Sequence, residues 1–134
     1  MTNPREHVDA SWQALLAAVE GIPDARMAEA GAVGEWSVKD VLTHVAYWDT
    51  PAQNGADGAQ QAAEEWQPVN ERVAAERANW SLAEVRQNLH ETHQRMLAAL
   101  DSQPNIDPEQ VRSDWEHYDE HAAEIRAWRV HEGV

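Results

Sequence analysis

A chain of 134 residues sits near the common size of one domain and buries roughly two-thirds of its unfolded surface on folding, so a single domain over 1–134 is expected. Its 24 acidic against 10 basic side chains give a formal charge of −14, which repels phosphate backbones and removes the counterion release that drives nucleic-acid binding. A nucleic-acid partner is therefore not expected. With no cysteine, disulfides, thiolate ligands and a thiol nucleophile are excluded, and any metal falls to His, Asp or Glu. No run of 18 apolar residues offers a membrane span, and the opening residues MTNPREHVDASW lack the charged and apolar regions of a secretory signal, so the expectation is a cytoplasmic protein without a membrane partner. Seven Trp, two Tyr and no Phe make the aromatic content lopsided, and no physical reason for the missing Phe is evident.

In chain order, Asn3, Pro4 and Glu6 occupy the positions of a helix start, and Val8, Trp12, Leu15, Leu16 and Val19 recur at helical spacing, which predicts a first helix over 4–20 stopped by Gly21 and Pro23. A turn segment rich in Gly and Ala follows. Ser37 can cap a second helix, with Asp40 favouring its N-terminal dipole and Val38, Val41, Leu42 and Val45 facing inward. Residues 50–68 shift to Pro, Gly, Asn, Gln, Ala and Glu and read as a long crossover, completed by a short helix over 69–78. Ser81 and Glu84 form an S-x-x-E capping box for a third helix carrying Leu82, Val85, Leu89, Met96 and Leu100. Pro104 and Pro108 bracket a turn region, and 114–129 have the length and period of a fourth helix. No strand pattern competes, so the expected class is all-α, a four-helix bundle with a long crossover between helices two and three.

The histidines carry the chemistry. His117 and His121 lie about 40° apart on one helical face, one turn from each other, so two imidazoles can share one ion. Alone, such a pair fits a metal site and a solvated pair equally well. Glu124 and Trp128 continue the stripe, with Ile125 at its flank, so polar groups stand where Leu and Val would be expected. That pattern suggests a site, against the alternative of a hydrogen-bonded polar core in which Glu124 caps a histidine. His44, beside Val41 and one turn before Trp48, sits at the edge of the second helix's apolar face, where a surface residue and a third ligand are both open. His93 aligns nearly with Leu82, Leu89 and Leu100, as a satisfied core histidine, a fourth ligand or a proton shuttle. His7, His90 and His131 read as solvent-facing. The run 117–121 also matches H-x-x-E-H, but only 13 residues follow His121, too few for the distant carboxylate ligand and the cleft of a zinc protease.

The segments GEWSVKDVLTHVAYWD (34–49) and HYDEHAAEIRAW (117–128), with Trp66 and Asn70 as weaker support, resemble the DinB-like metal-binding four-helix bundles, a family whose branches include colibactin self-resistance proteins and mycothiol-dependent isomerases. In that family a His near the end of the second helix and an H-x-x-x-H pair on the last helix bind a divalent ion. The resemblance therefore implies His44, His117 and His121 as metal ligands, with zinc or nickel as the ion and a homodimer as a frequent assembly. It also implies a low-molecular-weight thiol as cosubstrate. Characterised members resemble thiol S-transferases or isomerases, and one branch contains a hydrolase of a reactive cyclopropane.

Three protein ligands leave one metal position open, as a catalytic ion requires. The expectation is an enzyme, a metal-dependent thiol S-transferase or hydrolase acting on a small electrophile. Trp48, His93 and Trp128 are its pocket candidates, and Glu124 orients a ligand histidine or acts as a base. The alternative is a non-catalytic binding, sequestration or stress protein built on the same bundle.

Overall fold

Gly, Pro and short polar side chains delimit the helices of this chain. In the computed structural model, which describes residues 4–48, 66–102 and 108–134, six helices form among the described residues: α1 (Pro4–Val19), α2 (Asp24–Met27), α3 (Val38–Trp48), α4 (Trp66–Glu76), α5 (Leu82–Ser102) and α6 (Pro108–Glu132). The all-α expectation holds. The crossover expected over 50–68 lies, up to residue 65, outside the described residues.

Two compact units emerge from chain proximity, Met1–Val41 with Gln103–Val134, and Leu42–Ser102. In the first, α1 lies along α6. Val8, Trp12 and Leu15 of α1 are buried, as are Val111, Tyr118, Ala122 and Ile125 of α6, while Leu16 and Val19, expected inward, are half-buried. Trp12 packs on Tyr118 with ring centroids 5.4 Å apart at a 55° tilt, and a large side chain of this kind contributes about 1.5–3 kcal/mol by burial. His7 is not solvent-facing as expected: it is half-buried and stacked on Trp115 at 4.1 Å and 10°. Trp115 lies one turn before Tyr118 on the buried face of α6, but nothing in α1's own period announces that partner.

α1 ends where Gly21 adopts φ +81°, a conformation that a Cβ would strain. The orphan carbonyls there are met by a side chain from the far end of the chain: Arg129 Nη1 donates to Ala18 O at 2.9 Å and to Glu20 O at 2.7 Å, and Arg129 Nε donates to Val134 O at 3.2 Å. A cation at a helix C-terminus also opposes the negative end of the dipole. The segment expected as a plain turn contains α2, a single turn opened by Pro23 and anchored by fully buried Met27. One turn is too short to show a period. Val33 and Trp36 then form an isolated bridge around Gly34 at φ +59°.

α3 starts with a reciprocal capping box, in which Asp40 N–H donates to Ser37 Oγ at 3.1 Å and Ser37 N–H donates to Asp40 Oδ2 at 3.0 Å. Asp40 is thus half of the cap as well as a charge near the dipole. Val38, Val41, Leu42, Val45 and Ala46 are buried. In the second unit α4 begins at Trp66, three residues before the expected start, with Pro68 tolerated in the first turn, where its missing N–H has no intrahelical acceptor. Ser81 Oγ accepts the Glu84 N–H at 3.1 Å and opens α5, whose Val85, Leu89, Thr92, His93 and Met96 are buried. α6 is longer than expected because Pro108 serves as its first residue rather than as the end of a turn.

Replacing Arg129 with Ala removes the side chain that meets the Ala18 and Glu20 carbonyls, and is expected to lower stability by about 1–2 kcal/mol. Urea unfolding should show an earlier midpoint at unchanged slope; an unchanged midpoint would mean that water replaces the guanidinium without loss.

Candidate metal centre

A 3.6-residue period puts His117 and His121 on one stripe of α6, and the rings meet edge to face, with centroids 4.6 Å apart at 71°. His117 is half-buried and His121 is 8 % exposed. Such burial demands a partner for the ring N–H. Glu124, one turn further along, brings Oε1 to 2.9 Å from His121 Nδ1, a charge contact whose angles are not those of a hydrogen bond. Burial pushes the His121 pKa down, and the charges of Glu124 and Glu120 partly restore it. The net direction favours neutral imidazole, the form that ligates a metal. Glu120, the acid of the H-x-x-E-H match, is exposed, so the carboxylate against the imidazole is Glu124.

His44 is half-buried on α3, and its Nδ1 donates to Oδ1 of Asn70 on α4 at 3.1 Å. Asn70 is itself buried at 8 % exposure. A carbonyl oxygen on Nδ1 selects the tautomer with the proton there and makes Nε2 of His44 the lone-pair nitrogen. One ring nitrogen from each of His44, His117 and His121 lies within 4.8 Å of the others, so the three could hold a metal ion. The donor set fits: three imidazoles, with an amide oxygen bonded to one and a carboxylate close beside another, are the usual dress of zinc-like ions.

The remaining candidates are placed differently. His93, on α5, is 1 % exposed and stands outside the group of three. Trp128 is buried with the Arg26 guanidinium 5.7 Å from its ring centre, about three turns beyond His117. The side chain of Trp48 is outside the described residues. His90 and His131 are exposed, as expected. The partnership of Asn70 with His44 carries no local signal, because the two are 26 residues apart on different helices.

Fold and donor set together define an all-helical protein with a candidate three-imidazole metal centre. The sequence pattern of the DinB superfamily matches residues 7–131, and the chain belongs to that family. No curated protein and no solved structure matches it.

Because Glu124 raises the His121 pKa and burial lowers it, Glu124→Gln should lower that pKa further in the metal-free protein. Titrating the imidazole Cε1–H by NMR measures this, and a value that rises would contradict the assignment. In the linkage sense, a histidine whose folded pKa is depressed supports folding above its unfolded value of about 6.5 and loses that support as pH falls below it.

Proposed function

We propose that this DinB superfamily protein is a metal-dependent enzyme in which His44, His117 and His121 hold one divalent ion, zinc or nickel, and a small electrophile is attacked by a thiol or by water. The observation that carries the reading is the set of three imidazoles within 4.8 Å, one of them, His44, oriented through Nδ1 by Asn70. Side-chain rotation from that spacing reaches the nitrogen separations of about 3.4 Å that tetrahedral bonds of about 2.1 Å require. Imidazole donors suit zinc and nickel and discriminate against magnesium or calcium, which prefer oxygen. When bound, the ion supplies Lewis acidity to a thiol or water in the position that three ligands leave open.

The chain's own residues do the rest. Asn70 holds the His44 ring, Glu124 stands against His121, and the half-exposed carboxylate of Glu124, 35 % accessible, can accept a proton. No helix among the described residues is long and apolar enough to cross a membrane. A low-molecular-weight thiol is the proposed cosubstrate, a cytoplasmic setting supplies it, and a homodimer is the proposed assembly. The competing function is sequestration, binding a reactive metabolite without turnover.

Single Ala variants of His44, His117 and His121 should each lose bound metal, as measured by elemental analysis of purified protein, while His131→Ala keeps it. Asn70→Ala should weaken metal affinity by about 10–100-fold without abolishing it. Metal content equal to the parent's in each of the three histidine variants would remove the site. For the chemistry, adding a thiol to cobalt-substituted protein should introduce sulfur-to-cobalt absorption, and an electrophile should then be consumed catalytically. An unchanged spectrum with water-dependent consumption leaves hydrolysis; loss of one electrophile per chain and no more is the signature of sequestration.

A further inference from the structure

Arg77 is a cation set among aromatic rings in a strongly acidic chain. Its guanidinium carbon lies 4.5 Å from the ring centre of Trp80 and 5.7 Å from that of Tyr47, and its Nη1 donates to Asn88 Oδ1 at 3.2 Å. It makes no ion pair among the described residues. The neighbouring Glu76 carboxylate is within 4.0 Å of Arg72, not of Arg77. Burial acts against the charge, lowering the pKa, with Tyr47 and Glu76 partly opposing that. A guanidinium brought partly out of water, oriented by an amide and given aromatic faces in place of a carboxylate keeps N–H donors along its plane.

The backbone puts this group beside the His44 partnership. Arg77 extends the stripe of Asn70 and Val73, its N–H still bonded to Val73 O at 3.0 Å, and Tyr47 follows His44 by three residues on α3. The pairs His44–Asn70 and Tyr47–Arg77 are therefore successive contacts between the same two stretches of chain. We propose that Arg77, laid over Trp80 and Tyr47 and tied to Asn88, binds the carboxylate of a small monoanionic ligand on its remaining N–H edge. A planar carboxylate matches the planar fork that stacking leaves open. A phosphate dianion is disfavoured, since it gathers several cations and a chain of charge −14 repels it more strongly.

The carboxylate site stands on unit geometry alone; that its ligand also carries the reacting thiol rests on the metal-centre reading. The first test uses metal-free protein and sodium propionate, with propionamide and sodium chloride as controls, following the Arg77 Nε–Hε resonance assigned through its own side-chain carbons. Propionate should shift it saturably and the controls should not. Read on the indole N–H of Trp80, Arg77→Lys should weaken binding by about tenfold, since an ammonium keeps the charge and loses the fork. A shift that does not saturate, or an equal shift with propionamide, overturns the site. The second test titrates the cobalt protein with 3-mercaptopropionate and 2-mercaptoethanol. The acidic thiol should act at about tenfold lower concentration, a preference lost in Arg77→Lys. If propionate binds at Arg77 while neither thiol alters cobalt absorption, the carboxylate site stands and the thiol chemistry falls. If both thiols act equally and propionate leaves Arg77 unmoved, the metal reading stands and this site is overturned.

Discussion

The burial of His121 sets the terms for the rest of the candidate centre. An imidazole inside a helical core costs free energy unless a polar or charged group accompanies it, and the Glu124 carboxylate stands 2.9 Å from its Nδ1. The same contact sets a negative charge beside the ring, so one carboxylate bears on both the packing and the electrostatics of His121. It also constrains what α6 can carry. Tyr118, Ala122 and Ile125 form the wall against α1 on one side of the helix, while His117, His121 and Glu124 occupy the adjoining stripe. α6 has a weak hydrophobic pattern for this reason, since polar chemistry takes positions that a purely structural helix would give to Leu.

His44 repeats the device with a neutral partner. An amide oxygen holds Nδ1 as firmly in geometry as a carboxylate but adds no charge, so the proposed ligand set combines one histidine backed by Glu124 with one backed by Asn70. An ion on such a set keeps most of its positive charge, because the three ligands are neutral. That favours lowering the pKa of whatever occupies the remaining position, and it separates this donor set from carboxylate-rich sites that neutralise the ion. The acidic surface adds a diffuse attraction for the cation without touching it.

Much of this was legible in the sequence because it depends on local periodicity. The caps at Ser37 and Ser81, the apolar faces of α1, α3 and α5 and the one-turn spacing of His117 and His121 are all set within a few residues. The family resemblance, rather than spacing, singled out His44, whose edge position left it ambiguous. What escaped was short or distant: the single turn of α2, the stack of His7 on Trp115, the clasp of Arg129 on the end of α1, and Asn70 behind His44. Each involves partners that no period links. The start of α6 was misplaced by a different ambiguity, since Pro108 ends one helix pattern as readily as it begins another.

The distribution of cations bears on substrate choice. Arg129 is committed to the carbonyls of α1, and Arg26, Arg72 and Arg112 each meet a glutamate. Arg77 instead meets Trp80, Tyr47 and Asn88. In a chain with more than twice as many acids as bases, a guanidinium so placed is kept from the commonest partner around it. Aromatic faces exclude water without offering a counter-charge, and they strengthen any in-plane hydrogen bond an incoming carboxylate makes. The general field of the protein then turns away polyanions, while one local fork accepts a single negative group. Selectivity for small monoanions over phosphorylated metabolites follows from the contrast between the two rather than from either alone.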